Sequence, residues 1–283
     1  MTMGARLRNL GMGIATVCGF RRQGYFIPHR LADKLPEPGA NLRYEELGGM
    51  LAAALPSMRR VLEMIEAVGP QLAGLGQEPP PAPRWGQSWF PRLDGAAAYA
   101  LVDHHKPNRI LEVGSGHSTR FLAHAVRDGG LETEITSIDP APRRKLDGLG
   151  VHHIAKPLQE AGDVARGLAE GDFLFIDSSH ILMPGSDVDF ILNRLLPSLP
   201  VGVLIHFHDI FLPDDYPARW GWRSYNEQQG VAALLQGGGY DVLFASHFAN
   251  QALVREIAGS VLSGIELTED GFESSLWLRK AHL

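Results

Sequence analysis

The stretch that decides the fold reads Arg-Ile-Leu-Glu-Val-Gly-Ser-Gly-His-Ser-Thr from Arg109 to Thr119. Its apolar first half is typical of a short buried strand in a parallel sheet. Gly114 and Gly116 follow, and glycine lets the backbone turn tightly and approach a ligand without a Cβ atom. A helical pattern begins at Ser118, so unpaired N–H groups and the positive end of a helix dipole face the turn. We therefore predict a strand, a glycine turn and a helix that hold a nucleotide-like ligand at the carboxyl end of a sheet.

Apolar strands and helical patterns alternate after this corner. Further strands are predicted at Glu134–Asp139, Val151–Ala155, Asp172–Asp177, Val201–Asp209, Tyr240–His247 and Ser275–Lys280. Helical patterns are predicted at Leu158–Ala169, Asp187–Leu199 and Asn226–Gln236. This alternation predicts an α/β fold with a mainly parallel sheet and helices on both faces.

The chain before this region is organised differently. Residues 1–40 are rich in glycine and proline and predict loops and short elements. From Tyr44 to Leu75 apolar residues recur at helical steps, and Pro56 within that run predicts two helices or a kink. A run of prolines then ends at Pro83. We therefore predict residues 1–83 as an irregular and helical N-terminal segment and residues 84–283 as the main domain.

Two local patterns lie at the start of that main domain. The aromatic stretch Trp85–Phe90 predicts an apolar plug between segments, with a substrate wall as the alternative. Asp94 is a good N-cap for a helix that runs through His105.

Composition limits the classes of function. The chain has 283 residues, 45% of them hydrophobic, and a formal net charge of −6, with no long basic run. We therefore expect neither a nucleic acid nor a membrane as a partner. Cys18 is the sole cysteine, so an internal disulfide and a cysteine-rich zinc site are excluded, and a cytoplasmic location is expected.

The N-terminus imitates a targeting signal. Arg6 and Arg8 precede the uncharged stretch Leu10–Phe20, but Arg21 and Arg22 follow at once without a clear cleavage site. We favour an amphipathic arm that packs on the core. No apolar stretch approaches the roughly 20 residues that span a membrane.

Four polar features lie where predicted strands end, which is the edge at which such sheets bind ligands. They are the corner with Glu112, Gly114 and Gly116; Asp139; Asp177-Ser178-Ser179-His180; and His206-Phe207-His208-Asp209. A carboxylate in the position of Asp139 can accept hydrogen bonds from both hydroxyls of a ribose.

These features resemble a known family. Glu112-x-Gly114-x-Gly116 resembles motif I of class I S-adenosylmethionine-dependent methyltransferases, and Asp139 and Asp177 match the acids after their second and fourth strands. The late strand pair resembles the antiparallel hairpin that closes their seven-stranded, Rossmann-like sheet. The resemblance covers about residues 93–283, and longer stretches resemble a poorly characterised subgroup.

The resemblance implies S-adenosylmethionine as the cofactor. Gly114 and Gly116 would contact its methionine part, Asp139 would hold the ribose, and Glu112 would hold the loop or the amino group. The cofactor-binding residues implied are Glu112, Gly114, Ser115, Gly116, Ser118, Asp139, Asp177 and Ser178. No acid ends the third strand, so the adenine contacts stay unassigned.

The histidines suggest methylation of an oxygen atom of a small molecule. His180 and His208 are candidate bases, with Asp209 as a third catalytic residue, because neutral imidazole is available near pH 7. His206 and His208 are two apart on one strand and so face the same side. With Asp177 and His180 they could instead hold a divalent metal, and a hydrogen-bonded polar cluster is the other interpretation.

Two other functions are compatible with this pattern. A nicotinamide-dependent oxidoreductase would use a similar corner, although Thr119 replaces the third glycine of its fingerprint. A non-catalytic cofactor-binding protein could keep the same fold. The aromatic stretch Phe211–Asn226 predicts either a lid or a loop packed on the N-terminal helices. A small-molecule acceptor is the expected partner, and a homo-oligomer is compatible with the sequence.

Overall fold

The computed structural model describes residues 3–36, 40, 43–143 and 146–282. Within them, strands predicted from apolar runs form one seven-stranded sheet. The strands are β1 (Arg109–Val113), β2 (Glu134–Ile138), β3 (Val151–Ile154), β4 (Phe173–Ile176), β5 (Leu204–Phe207), β6 (Tyr240–Ala245) and β7 (Leu276–Lys280). Strands β1, β4 and β5 are buried along almost their whole length, as their continuous apolar sequences predict.

The strand order is β3-β2-β1-β4-β5-β7-β6. Strands β1 to β5 are parallel, and β7 lies antiparallel between β5 and β6. In the register of the three central strands, Val113 pairs with Ile176 and Ile176 pairs with Phe207. Because these are the last residues of β1, β4 and β5, the loops that follow them lie side by side. The predicted Rossmann-like methyltransferase fold is confirmed.

Helices cover the sheet and precede it in the chain. They are α1 (Met3–Val17), α2 (Glu45–Ala53), α3 (Leu55–Ala67), α4 (Gly69–Gly74), α5 (Arg92–His105), α6 (His117–Asp128), α7 (Asp187–Phe190), α8 (Leu196–Ser198), α9 (Glu227–Gln236), α10 (Ser246–Ala252) and α11 (Val254–Ala258). A π-helical turn at Ile191–Leu195 joins α7 to α8, and short 3-10 turns lie at Ala32–Lys34, Leu158–Glu160, Ala218–Arg223 and Val261–Gly264.

The helices predicted between Tyr44 and Leu75 are confirmed. Pro56 lies in the first turn of α3, where a missing N–H costs little, so it separates α2 from α3 instead of kinking one helix. Helix α3 packs on α5 and β6 and buries Met58, Leu62 and Ile65. These helices therefore share the core of the sheet.

Two local predictions were wrong, and two helices were not predicted. Residues 3–17 form helix α1 instead of loops, because its glycines lower helix stability without preventing a helix. The predicted helix at Leu158–Ala169 is only a 3-10 turn followed by irregular chain, with Gly162 in a left-handed conformation. Helices α10 and α11 lie in the connection from β6 to β7, where no helix was predicted.

The chain forms two compact units, residues 1–42 with 216–224 and residues 43–215 with 225–283. Residues 43–83, which the sequence assigns to the N-terminal segment, belong to the second of these units. The aromatic residues of 216–224 belong with the N-terminal residues. Across the described residues, no helix is long and apolar enough to cross a membrane.

Candidate active site

The buried carboxyl group of Glu112 stabilises the glycine corner through hydrogen bonds. Glu112 is fully buried and accepts hydrogen bonds from Ser118 Oγ at 2.8 Å and Thr119 Oγ1 at 2.7 Å. Thr119 Oγ1 in turn accepts from the Gly116 N–H at 2.9 Å. Burial, only partly offset by the two hydroxyl groups, raises the pKa of Glu112 to about 8. Glu112 and Ser118 therefore fix the conformation of the glycine corner.

Gly114 joins the corner to the loop after β4. Its φ is +94°, and a Cβ atom there would lie 2.1 Å from the carbonyl oxygen of Asp177. Only glycine allows this approach. At Gly116, by contrast, an added Cβ would meet no atom within 4 Å. The space above Gly116 is open, and a ligand can lie there.

These two glycines give a matched pair of variants. Gly114→Ala is expected to lower the free energy of unfolding by about 2–5 kcal/mol, because strain and overlap with the backbone add together. Gly116→Ala is expected to change it by less than about 1 kcal/mol, since its Cβ enters open space. Urea unfolding of both variants measures the difference. Equal losses of stability would contradict this account of the corner.

Asp139 directly follows β2, lies beside the corner and is half-buried. Its Oδ2 accepts a hydrogen bond from Ser115 Oγ at 2.7 Å, and its Oδ1 accepts from the Ala141 N–H at 2.8 Å. The carboxylate is therefore tied to the corner at the predicted ribose position. Among the predicted cofactor residues, the structure brings Gly114, Ser115, Asp139 and Asp177 to one edge of the sheet.

His180 is the centre of a buried charged cluster. Its Nδ1 lies 2.8 Å from Glu227 Oε2. Its Nε2 lies 3.3 Å from Asp177 Oδ1 and 3.5 Å from Asp209 Oδ2. Ser178 Oγ also donates to Glu227, at 3.3 Å, so Ser178 belongs to this cluster and not to the corner.

His208 is the second imidazole of the cluster. Its Nδ1 lies 3.4 Å from Asp209 Oδ1 and 3.7 Å from Asp177 Oδ1, and its Nε2 lies 3.5 Å from Asp94 Oδ2. Both histidine side chains are only 5% exposed, whereas that of Asp177 is 34% exposed. Asp177 therefore connects the buried cluster with the open side of the site.

The carboxylates control the charge of both histidines. Burial alone would lower the pKa of His180, but Asp177, Glu227 and Asp209 outweigh it and hold the pKa well above its usual value. The same holds for His208, which faces Asp209, Asp177 and Asp94. Burial opposes the charge of Asp177, but the two histidines hold its pKa well below its usual range. The prediction of neutral imidazoles near pH 7 therefore needs correction, because both favour the protonated form.

The backbone of the cluster is strained. His180 has a φ of +60° and Asp209 a φ of +57°, which costs energy for residues other than glycine. The carbonyl of His180 accepts hydrogen bonds from the N–H groups of Asn226 and Glu227, at the start of α9. Ser274 Oγ donates to Asp209 Oδ1 at 3.3 Å. Segments distant in sequence thus hold both residues in place.

Two members of the cluster were missed by the sequence analysis. Asp94 was predicted to cap α5, but that helix begins at Arg92, and the Asp94 carboxylate accepts from the N–H groups of Ser274 and Ser275. Glu227 was treated as an ordinary residue of a helix. An acid in a first helical turn is common, so neither position carried a local signal.

His206 lies apart from the carboxylates. Its ring stacks on Phe175 with centroids 3.7 Å apart, and its Nε2 is 2.8 Å from Ser275 Oγ. Burial and the charge of His208 lower its pKa well below the usual value. The rings of His206 and His208 are 6.0 Å apart and nearly parallel, which confirms that they face the same side.

The predicted metal ligands were Asp177, His180, His206 and His208. Within residues 3–36, 40, 43–143 and 146–282, no group of three or more His, Cys, Asp or Glu side chains is arranged to hold a metal ion. His180 Nε2 and His208 Nδ1 instead face Asp177 Oδ1, while His206 Nε2 faces Ser275 Oγ. The described side chains therefore do not fit the predicted metal site.

The predicted apolar plug is confirmed in part. The Trp85 ring lies 4.9 Å from that of Phe121, and Phe90 is buried with its ring 5.4 Å from that of His208. Trp89 is instead 50% exposed. Phe90 therefore excludes water from one side of the charged cluster.

Comparison with known proteins agrees with this geometry. Residues 111–210, from β1 to just past β5, match a family model described as a methyltransferase domain. Residues 111–210 are therefore identified as a methyltransferase domain. The antiparallel β7 distinguishes this sheet from the dinucleotide-binding sheets of nicotinamide dehydrogenases, whose strand order is 3-2-1-4-5-6. The matched range contains all four polar features that the sequence placed at strand ends.

Several solved structures are similar to this chain. One is a Podospora anserina methyltransferase bound to S-adenosylhomocysteine, with 18% identity, a TM-score of 0.41, and coverage of 91% of this chain and 99% of that one. A second is the O-methyltransferase TomG of Streptomyces achromogenes, with 15% identity, a TM-score of 0.41 and coverage of 78% and 89%. A Bacillus cereus O-methyltransferase has 16% identity, a TM-score of 0.40 and coverage of 78% and 90%. No curated protein matches the chain.

Proposed function

We propose that this methyltransferase transfers the methyl group of S-adenosylmethionine to a hydroxyl oxygen of a small molecule, with His180 as the base. The observation that carries the proposal is the 2.8 Å contact between His180 Nδ1 and Glu227 Oε2. A buried carboxylate on one ring nitrogen orients the imidazole and stabilises its charged form, as in other carboxylate–histidine pairs. The other nitrogen, Nε2, is directed at Asp177 on the open side.

The glycine corner fits the cofactor. The space above Gly116 is open, and Asp139 is held beside it by Ser115. Gly114, Gly116 and Asp139 would hold the methionine and ribose parts, while Glu112 and Ser118 would fix the loop. When bound, the cofactor supplies a methyl group on a positively charged sulfur atom.

The charge of the cluster favours a neutral acceptor. Asp94, Asp177, Asp209 and Glu227 face only two imidazoles, His180 and His208. The surplus of carboxylates would repel a carboxylate or phosphate group on the acceptor. A neutral hydroxyl group can instead donate a hydrogen bond to Asp177, which is the exposed member of the cluster.

Side chains of this protein can accept the proton that the acceptor hydroxyl group loses. As the acceptor oxygen takes the methyl group, its proton goes to Nε2 of deprotonated His180, and Glu227 stabilises the imidazolium that forms. The raised pKa of His180 favours its protonated form near neutral pH. Activity should therefore rise with pH.

A panel of acceptors tests the proposal. Formation of S-adenosylhomocysteine is measured with phenols, aliphatic alcohols, carboxylates, amines and thiols, before and after treatment with a chelator. We expect turnover with hydroxyl acceptors only, unchanged by chelation. Turnover with amines or thiols alone would contradict oxygen methylation. Loss of activity on chelation, restored by Mg²⁺, would favour the alternative of a divalent metal over a histidine base.

The pH dependence distinguishes the two histidines. Glu227→Gln removes the charge beside His180, and Asp94→Asn removes the charge beside His208. Loss of a nearby carboxylate lowers the pKa of a histidine, because the charged imidazole loses an opposite charge beside it. We therefore expect the rise of kcat/KM with pH to move to lower pH in Glu227→Gln and to stay in place in Asp94→Asn. The opposite pattern would assign the base to His208.

A cytoplasmic location is part of the same proposal. It is supported by Cys18, an unpaired thiol that is exposed on the surface and suits a reducing compartment.

A further inference from the structure

The charge of this protein is divided unevenly. Residues 1–42 and 216–224, here called the N-terminal unit, carry eight Arg or Lys against two Asp or Glu, a formal charge of +6. The net charge of −6 for the whole chain leaves −12 for the rest. The overall charge therefore conceals a strongly basic unit.

Helix α1 in this unit presents an apolar face to solvent. Five large apolar residues recur at steps of four and three residues, so they lie along one side of the helix. They are Met3, Leu7, Leu10, Ile14 and Val17, with exposed fractions of 75%, 64%, 60%, 53% and 61%. On the opposite side of the helix, Thr16 contacts the chain that follows, and its Oγ1 accepts from the Gln23 N–H at 3.0 Å. The first and last turns contain no acidic residue.

Exposed aromatic rings belong to the same unit. Phe20, Tyr25, Phe26 and Trp222 are 83%, 46%, 66% and 47% exposed. Arginines lie on such rings, with Arg22 5.0 Å from the centre of the Tyr25 ring and Arg223 5.6 Å from that of Trp222. Aromatic rings, arginines and an apolar helix face together are typical of protein surfaces that lie in a membrane interface.

We propose that the N-terminal unit docks on an anionic lipid bilayer, with the apolar face of α1 buried among the lipids. The helix has 15 residues and is about 22 Å long, shorter than the roughly 30 Å apolar layer, so it suits the interface and not a span. The arginines of the unit would then meet lipid phosphates. This proposal replaces the expectation of no membrane partner, which rested on the net charge of the whole chain.

Charge favours a bilayer over other occupants. In a symmetric dimer through the same face, two units of formal charge +6 would meet and repel each other. A nucleic acid would pair with the arginines but would leave the apolar face of α1 in water. An anionic bilayer can both pair with the arginines and bury the apolar face of α1.

Sedimentation with vesicles tests the proposal. The full chain is mixed with vesicles of phosphatidylcholine alone or of phosphatidylcholine with phosphatidylglycerol, at low and high salt. We expect binding to the vesicles that contain phosphatidylglycerol, and weaker binding at high salt because salt screens the arginines. No binding to these vesicles, or equal binding to both compositions, would overturn the proposal.

Matched variants locate the contact. The double variant Leu7→Ser/Ile14→Ser removes part of the apolar face, and Val254→Ser removes an apolar side chain that is 57% exposed on the other unit. We expect at least about a tenfold loss of vesicle binding in the first and none in the second. Unchanged binding in the double variant, with an unchanged thermal unfolding curve, would contradict the proposal. A second result would also contradict the proposal. Light scattering would show that the parent protein is a dimer and the double variant a monomer, and neither protein would bind vesicles.

Discussion

Replacing His180 with asparagine is expected to lower kcat by roughly 10²- to 10⁴-fold, the usual contribution of a general base. Asparagine cannot take up the proton that the acceptor hydroxyl loses. Steady-state formation of S-adenosylhomocysteine with the best hydroxyl acceptor measures the change. Because the glycine corner lies outside the cluster, we expect the affinity for S-adenosylhomocysteine to change by less than about threefold, which would also show that the variant is folded.

His152 provides a matched control. It is exposed on the edge strand β3 and pairs with β2, far from the carboxyl edge of the central strands. His152→Asn should keep the activity of the parent. If His180→Asn also kept kcat within a few-fold of the parent while binding the cofactor product normally, His180 would not be the base.

Replacing Asp139 with alanine is expected to weaken binding of S-adenosylhomocysteine by at least about 10- to 100-fold. Hydrogen bonds to a charged carboxylate contribute about 1.5–3 kcal/mol each, and Asp139 is positioned to accept them from a ribose. The change would also release Ser115, whose hydroxyl donates to Asp139 at 2.7 Å. Isothermal calorimetry measures the dissociation constant of S-adenosylhomocysteine for the parent and for Asp139→Ala.

The control for this variant is Asp163→Ala. The Asp163 side chain is 64% exposed, and its ion pair is with Arg166, three residues away in the chain. It should bind S-adenosylhomocysteine like the parent. Equal affinities of Asp139→Ala and the parent would show that the ribose lies elsewhere.

The sheet could be predicted because its signals are local. Strands β1, β4 and β5 are continuous apolar runs, and their carboxyl ends must meet at one edge once they are parallel. This is why Asp139, Asp177, His180 and His208 could be assigned to one edge without coordinates. The glycines of the corner were equally informative, since Gly114 is required by a contact with the Asp177 backbone.

The rest of the cluster depends on contacts between distant residues. Asp94 reaches His208 from the start of α5, and Ser274 reaches Asp94 across 180 positions of the chain. Glu227 meets His180 across 47 positions. Helical and strand periodicity describe only neighbours in sequence, so these pairings appear only after the helices have packed on the sheet.

The charge state of the histidines could not be predicted from the sequence either, because it also depends on contacts between distant residues. An isolated histidine titrates near pH 6.5, and its type alone suggested a neutral base. Three carboxylates around His180 reverse that expectation. The basic N-terminal unit shows a similar limit, because one net charge for the whole chain averages two regions of opposite sign.

The most direct test of the central claim is calorimetric titration of the folded parent protein with S-adenosylmethionine, S-adenosylhomocysteine and NADH. We predict saturable binding of the first two at one site per chain and no binding of NADH. Absence of binding by both sulfur compounds, or binding of NADH alone, would contradict the assignment of the glycine corner as the site of the methyl donor.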